Sequence, residues 1–296
     1  MSYMGLDFSG MDQYDDGYKI VIDRMNAAVK PGEKDYRMDN IEMRLNEPAF
    51  IHGIIRKARP RVIAELGVAA GGSSCLILNA IKDLKDSRLY SVDVREDYCR
   101  DRAKKTGFLV EKLFPELVHK WTLYANGFAC NHLDEIEGEI DLCLIDTVHS
   151  NPGEHLNILE VLPYMRKNGI IVVHDTALHK SNRRQATNCI LLNTLKGKRI
   201  HLPCLEPDNK SLGLPNIGAI ILDDDVESMW WPLFVNITLP WENTLGDRDY
   251  NDLLKHYQRF YPSGLVDIFV KSKRHYDTEL AARNQARANL TKFWGL

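Results

Sequence analysis

From Arg61 onward, short β-branched runs alternate with longer segments whose apolar residues recur at helical spacing, the pattern of a mostly parallel sheet covered by helices on both faces. The runs read as strands are Val62 to Leu66, Leu89 to Val94, Trp121 to Ala125, Ile140 to Asp146, Ile170 to His174, Arg199 to Leu202 and Ile217 to Leu222. Leu76, Ile77, Ala80, Ile81 and Leu84 mark a helix packed by one face after the first strand. Amphipathic helices are expected at Tyr18 to Val29, at Ile41 to Arg56 (ended by Ala58-Arg59-Pro60) and at Tyr250 to Tyr261. Asn151-Pro152-Gly153-Glu154 reads as an N-cap, a first-turn proline and an N3 acid, and Asn168-Gly169 as the close of the same helix, with Pro163 bending it. The composition of 205–215 is that of a loop. This divides the chain into an extension over 1–40, an α/β domain over 41–224 and a helical segment over 225–296.

Composition narrows the function. The chain has 296 residues, 44% of them apolar, and a formal charge of -3. That is enough for one large core, and the net charge gives no overall pull toward nucleic acid, whose phosphates require a concentrated basic surface. The six cysteines, Cys75, Cys99, Cys130, Cys143, Cys189 and Cys204, contain no C-x-x-C pair and read as reduced thiols of a cytoplasmic protein. The N-terminus has no signal-peptide pattern, and no apolar run approaches the ~20 residues of a membrane span.

The first chemical signal is the turn Glu65-Leu66-Gly67-Val68-Ala69-Ala70-Gly71-Gly72-Ser73-Ser74 between a strand and a helix. Glycines there let a ligand approach backbone, so a bound cofactor is expected. The spacing of Gly67 and Gly71 is E-x-G-x-x-x-G, not the G-x-G-x-x-G of a dinucleotide site. Asp93 ends the next strand, where an acid can accept hydrogen bonds from ribose hydroxyls. A lone glycine turn is often only a tight connection, and a strand-end acid only a solvated cap; the two together favour a cofactor.

The second signal is Asp146-Thr147-Val148-His149 at the end of the fourth strand and His174-Asp175 at the end of the fifth. Ligands of open parallel sheets sit beyond the strands' carboxyl ends, so these side chains should converge beside the cofactor. Carboxylates so placed can hold a divalent ion, and a histidine beside them can take a proton from a hydroxyl. The plainer alternatives are that Asp146 caps a turn, that His149 is a satisfied loop histidine and that His174 is held by a backbone carbonyl. Lys180, Arg183 and Arg184 could grip an anionic substrate or belong to a solvated loop. The aromatic stretch 229–241 could wall an acceptor pocket, form a subunit contact or simply pack helices on the sheet.

The glycine turn followed by Asp93 resembles the first two motifs of class I S-adenosylmethionine (SAM)-dependent methyltransferases, over roughly residues 41–223. That resemblance implies a seven-stranded Rossmann-like sheet and a cofactor site made by Glu65, Gly67, Gly71, Ser73, Asp93, Asn126, Gly127 and Phe128, the last three bordering the adenine. The pattern Asp146 to His149 with His174-Asp175 is similar to metal-dependent O-methyltransferases of the macrocin and mycinamicin sugar type, and more distantly to the caffeoyl-CoA type. It implies His149 as the base, a catalytic Asp146, and Asp146, His174 and Asp175 around a divalent cation such as Mg²⁺ or Mn²⁺. His174 replaces an acid common in the sugar enzymes and Thr176 an asparagine of the catechol type, which opens the site to softer metals. The implied reaction is O-methylation of a small hydroxylated molecule, more a sugar or glycoconjugate precursor than a catechol. A nicotinamide-dependent oxidoreductase and a non-catalytic cofactor-binding subunit are the rivals, and a homo-oligomer stays open.

Overall fold

The computed structural model describes residues 3–9, 16–28, 43, 46–180, 187–202 and 213–294. Its centre is a seven-stranded sheet in the order β3-β2-β1-β4-β5-β7-β6. The strands are β1 (Val62–Leu66), β2 (Arg88–Asp93), β3 (Trp121–Ala125), β4 (Ile140–Ile145), β5 (Met165–His174), β6 (Gly197–His201) and β7 (Ile217–Leu222). All pairs are parallel except those of β7, which runs antiparallel between β5 and β6. The seven expected strands all form. β4 and β7 are buried at every position, which is why their sequences are apolar apart from Asp141, whose carboxylate accepts from the Arg61 and Val62 amides and from Arg166: a strand covered on both faces has no solvent side to alternate toward. Edge strand β6 is largely unburied and carries Lys198 and Arg199, charges that discourage pairing with another sheet.

Helices α1 (Gly17–Ala28), α2 (Glu47–Ala58), α3 (Gly72–Ile81) and α4 (Phe108–Leu113) share one core, joined through Val21, Phe50, Ile54, Ile77 and Val110. The other face is covered by α5 (Gly153–Val161), α6 (Asn188–Thr194), α7 (Trp230–Asn236), α8 (Asp247–Phe260) and α9 (Ser263–Trp294). Leu156, Leu191, Leu233, Tyr257 and Phe269 meet the sheet in that second core. Tyr257 and Tyr261 donate their hydroxyls to the carbonyls of Leu156 and Leu159, at 3.0 and 2.7 Å. The aromatic stretch therefore has a packing role: Met229, Phe234, Ile237 and Trp241 are buried in this core, and Trp231 is exposed.

Four local expectations need correction. α2 starts at Glu47 rather than Ile41: Met43 is not helical and Pro48, which lacks an N–H, occupies the first turn where that loss is harmless; residues 41, 42, 44 and 45 lie outside the described residues. α3 is buried at all ten positions rather than on one face, because α1 and α2 pack over the side that a surface helix would give to water. Asn151 does not cap α5; its side-chain amide donates to the carbonyl of Leu239 at 2.6 Å, and α5 begins at Gly153. Asn168-Gly169 does not close α5 either: regular helix stops at Val161, a 3₁₀ turn carries Pro163, and β5 already begins at Met165. Asn168 has φ 57, the left-handed geometry that asparagine tolerates at a helix end or at an irregularity in a strand, and here the β4–β5 register shifts between Ile140 and Leu142. Cys204, Arg183, Arg184 and most of the 205–215 loop lie outside the described residues; the five described cysteines are unpaired.

Candidate active site

Strand order reverses between β1 and β4, and a crevice opens beyond their carboxyl ends as the topology requires. The chain crosses there at close range. Gly67 donates its N–H to Val92 and Asp146 donates its own to Leu66, both at 2.9 Å. A Cβ on Gly67 would lie 1.8 Å from the carbonyl oxygen of Asp146, and its φ is +89. The first glycine is thus demanded by the neighbouring backbone as much as by any ligand. Gly71 (φ +93) abuts the backbone of Gly107, and Ala69 between them also has positive φ.

Asp93 fastens this turn. Its Oδ2 accepts the N–H groups of Val68 and Ala69 at 2.9 and 3.1 Å, and its Oδ1 accepts that of Arg95 at 2.9 Å. A carboxylate has about four acceptor directions, so these bonds leave capacity toward the cleft that Asp93 lines. The cleft holds about 480 Å³, within the range of small-molecule sites. Gly67, Asp93, Gly127 and Phe128 line it, together with Asp146 and Leu156.

Other expected cofactor residues do not reach it. Glu65 is fully buried beneath the turn, where its Oε2 accepts the hydroxyls of Ser74 and Ser91, each at 2.6 Å. Burial pushes its carboxyl up to about 7, with the serine hydroxyls pulling the other way. It stitches β1 to α3 and β2. Gly71 and Ser73 are likewise absent from the lining, and Asn126 is exposed, donating to Glu96 Oε1 at 3.0 Å.

At the tips of β4 and β5 the expected acid and histidine residues do converge. His149 Nδ1 lies 2.9 Å from Asp175 Oδ2 and 3.7 Å from Asp146 Oδ1. His149 and Asp175 have φ 60 and 57, a costly conformation that surrounding contacts must hold. Those contacts are visible: the N–H of His149 donates to buried Glu154 Oε1 at 2.6 Å, and Asn216 Nδ2 donates to Asp175 Oδ1 at 2.7 Å. Burial opposes the charge on His149, yet Asp175, Asp146 and Glu154 outweigh it and raise its pKa. For Asp175 burial is likewise outweighed by the two histidines and Asn216, which hold its carboxyl well below the usual range.

His174 has a different place from the one expected of a metal ligand. Its side chain is 2% exposed, with Nε2 3.0 Å from Glu47 Oε2 and Nδ1 3.1 Å from Asp146 Oδ1. Both ring nitrogens are engaged by carboxylates rather than by a backbone carbonyl. Burial disfavours the imidazolium, but Asp146, Glu47 and Asp175 prevail and raise its pKa well above the ordinary value. A doubly donating imidazolium has no lone pair for a metal. The donor atoms that do gather are those of Asp146, His149 and Asp175, all within 4.8 Å of one another. Two oxygens and one nitrogen in that space fit a divalent cation, with a tilt toward Mn²⁺ or Zn²⁺ over an all-oxygen Mg²⁺ site.

Sequence reading did not find Glu47, Glu154, Asn216 or the cleft wall made by Asn243, Thr244, Leu245 and Asp249. That wall is tied to the loop bearing His149: Glu242 donates its N–H to the carbonyl of Asn151 at 2.9 Å, and Asn243 Nδ2 donates to Ser150 Oγ at 2.6 Å. A polar stretch broken by Gly246 directly after the aromatic one was the available signal. Thr176 faces away, its hydroxyl bonded to the carbonyl of Pro215 at 3.0 Å, and Lys180 is exposed in a 3₁₀ turn. No described helix is long and apolar enough to cross a membrane.

Residues 64–176 match the family model described as a methyltransferase domain. Among solved structures, the chain is similar to the SAM-bound O-methyltransferase of Streptomyces achromogenes involved in tomaymycin synthesis, with 14% identity over 70% of this chain and 90% of that one and a TM-score of 0.47. It is similar to an SAH-bound methyltransferase of Podospora anserina, with 15% identity over 71% and 89% and a TM-score of 0.47. It is also similar to an SAH-bound O-methyltransferase of Bacillus cereus, with 14% identity over 70% and 91% and a TM-score of 0.45. The family match covers the glycine turn, Asp93, the crossing of β1 with β4 and the strand tips that carry Asp146, His149 and Asp175, so the stretch similar to a methyltransferase domain is the one that builds the cleft and the cluster beside it.

Proposed function

We propose that this chain transfers a methyl group from SAM to a hydroxyl of a small acceptor, a sugar or glycoconjugate precursor. The observation that carries the reading is the placement of Asp146: it lines the cleft and also belongs to the cluster with His149 and Asp175. A nucleoside in the cleft and an acceptor at the cluster would thus meet at one residue. The sugar class rests on the Asp146-to-His149 spacing and the His174-Asp175 pair noted in the sequence.

SAM supplies an electrophilic methyl when bound. The chain's residues do the rest: Gly67 and Asp93 seat the nucleoside, Asp146 and Asp175 orient the acceptor hydroxyl, and His149 takes its proton as the new O–C bond forms and the S–C bond breaks. Orientation of this kind removes much of the entropic barrier, and a positioned base contributes about 10²–10⁴-fold. Asp175 makes His149 a better proton acceptor by stabilising the imidazolium.

The 4.8 Å gathering of donor atoms favours a second device. A divalent cation held by Asp146, His149 and Asp175 would acidify the acceptor hydroxyl directly. The two are separated by chelation. Activity that survives EDTA assigns proton removal to His149 alone; activity lost to EDTA and restored by Mn²⁺ assigns it to the metal. In the base reading, His149→Ala lowers methyl transfer to a panel of sugars and glycans at least a hundredfold while SAH affinity, read by calorimetry, stays constant; equal loss of both makes His149 structural.

A further inference from the structure

The cleft has a wall that no strand-end motif supplies. Asn243, Thr244, Leu245 and Asp249 line it, from the turn before α8 and from its first turn. α8 is seated on the loop that follows β3: Arg248 Nη2 lies 3.5 Å from the carbonyl of Asn126, and Asn131 Nδ2 donates to Asp252 Oδ2 at 3.1 Å. Asp249 falls between these two anchors. It is half-buried, and among the described residues its carboxylate has no hydrogen-bond or ion-pair partner.

The position is informative because of the sheet order. β3 lies at one edge, two strands away from β1, whereas the His149 cluster sits at β4 and β5 on the other side. A nucleoside whose ribose reaches Asp93 and whose sulfur end reaches Asp146 extends its base toward the loop after β3. There Phe128, Leu156 and Leu245 offer apolar surface for a flat ring. An amino group carried into such a slot must find an acceptor or forfeit its hydrogen bonds to water. Asn126, the polar residue at the end of β3, is turned outward to Glu96, so it does not serve.

We propose that Asp249 accepts a hydrogen bond from the exocyclic amino group of the cofactor's adenine, which makes the segment after the sheet part of the cofactor site. The proposal rests on the SAM reading above. The turn over 243–246 and α8 then form a clamp on the base, independent of the glycine turn that meets the other end of the nucleoside.

The test is a thermodynamic cycle on the full chain. SAH and its analogue with unsubstituted purine in place of adenine are titrated by calorimetry into wild type, Asp249→Ala and Asp249→Asn. A hydrogen bond to a charged acceptor predicts that deleting the amino group weakens wild-type binding about tenfold or more. In Asp249→Ala, SAH binds about tenfold more weakly and the two compounds become indistinguishable, while Asp249→Asn, which keeps an acceptor oxygen, retains part of the preference. If Asp249→Ala still prefers adenine by the wild-type factor, or wild type has no preference, the assignment is overturned although the cofactor reading stands. If folded wild type binds neither compound, the cofactor reading itself fails.

Discussion

The crossing of β1 and β4 makes Gly67 the most sensitive small residue in the site, and the consequence can be worked out. In Gly67→Ala the new methyl would meet the Asp146 carbonyl oxygen at 1.8 Å, so one backbone must retreat by roughly 1.5 Å to restore ordinary contact. No rotamer relieves the overlap, because the opposing atom is backbone on a strand end bonded back to Leu66. The left-handed backbone adds about 1–2 kcal/mol and forced overpacking about 1–3 kcal/mol, together roughly 2–5 kcal/mol. Gly71→Ala has comparable backbone strain (φ +93) but meets Gly107 at 3.0 Å, which predicts roughly 1–2 kcal/mol. Gly264→Ala in the first turn of α9 meets nothing within 4 Å and should gain about 0.5–1 kcal/mol from helix propensity. Thermal and urea unfolding would rank the three, with Gly67→Ala lowering Tm by on the order of 10 °C. Its retreat also displaces Asp146, so turnover at a temperature where the variant remains folded should fall about a hundredfold. Equal Tm for the Gly67 and Gly71 variants, or full turnover in Gly67→Ala, would refute the view that backbone proximity to Asp146 fixes this position.

Three further outcomes are expected. His174→Ala removes the imidazolium between Glu47 and Asp146 and should cost about 3–5 kcal/mol in urea unfolding, as loss of one member of a buried charge cluster does; a cost below about 1 kcal/mol would show that the carboxylates re-pair without it. Burial raises the Glu160 carboxyl to about 7 despite hydrogen bonds from the Cys130 amide and Asn157. The folded state therefore holds this proton more tightly than the unfolded one, and the contribution of Glu160 to stability, present below about 4.5, is lost as pH rises toward 7, by roughly 3 kcal/mol. Glu160→Gln should flatten that part of the stability profile, and an unchanged slope between pH 4.5 and 7 would count against the shift. For the metal device, Mn²⁺ titrated into Asp175→Asn should bind at least tenfold more weakly than into wild type; the same affinity in both would place the ion elsewhere.

Much of the sheet was legible because burial on both faces leaves a plain mark. Ile140–Ile145 and Ile217–Leu222 contain almost nothing a surface would keep. The ends of β4 and β5 were legible for a topological reason, since residues following a parallel strand are delivered to the crevice whatever the surrounding detail, and Asp146, His149 and Asp175 follow that rule. What stayed hidden comes from elsewhere in the chain. Glu47 reaches His174 from a helix 127 positions away in sequence, and Asp249 reaches the cleft because α8 docks on the loop after β3; neither fact is written in local spacing. The same limit explains Asn168-Gly169, whose residues suit a helix end equally well as an irregular strand start. It also explains Glu65, whose place in the glycine turn suggested ligand contact although its side chain points beneath the turn to Ser74 and Ser91.

The tie between the loop bearing His149 and residues 239–243 has a consequence for how the molecule comes into being. During synthesis the glycine turn and both strand tips emerge early, yet the segment that steadies Asn151 and Ser150 follows by nearly a hundred residues. At roughly 5–20 residues per second, several seconds separate a nascent chain that can form the parallel part of its sheet, β1 to β5, from one that can brace its reactive corner. Chemistry is thereby withheld until the segment after the sheet has been made.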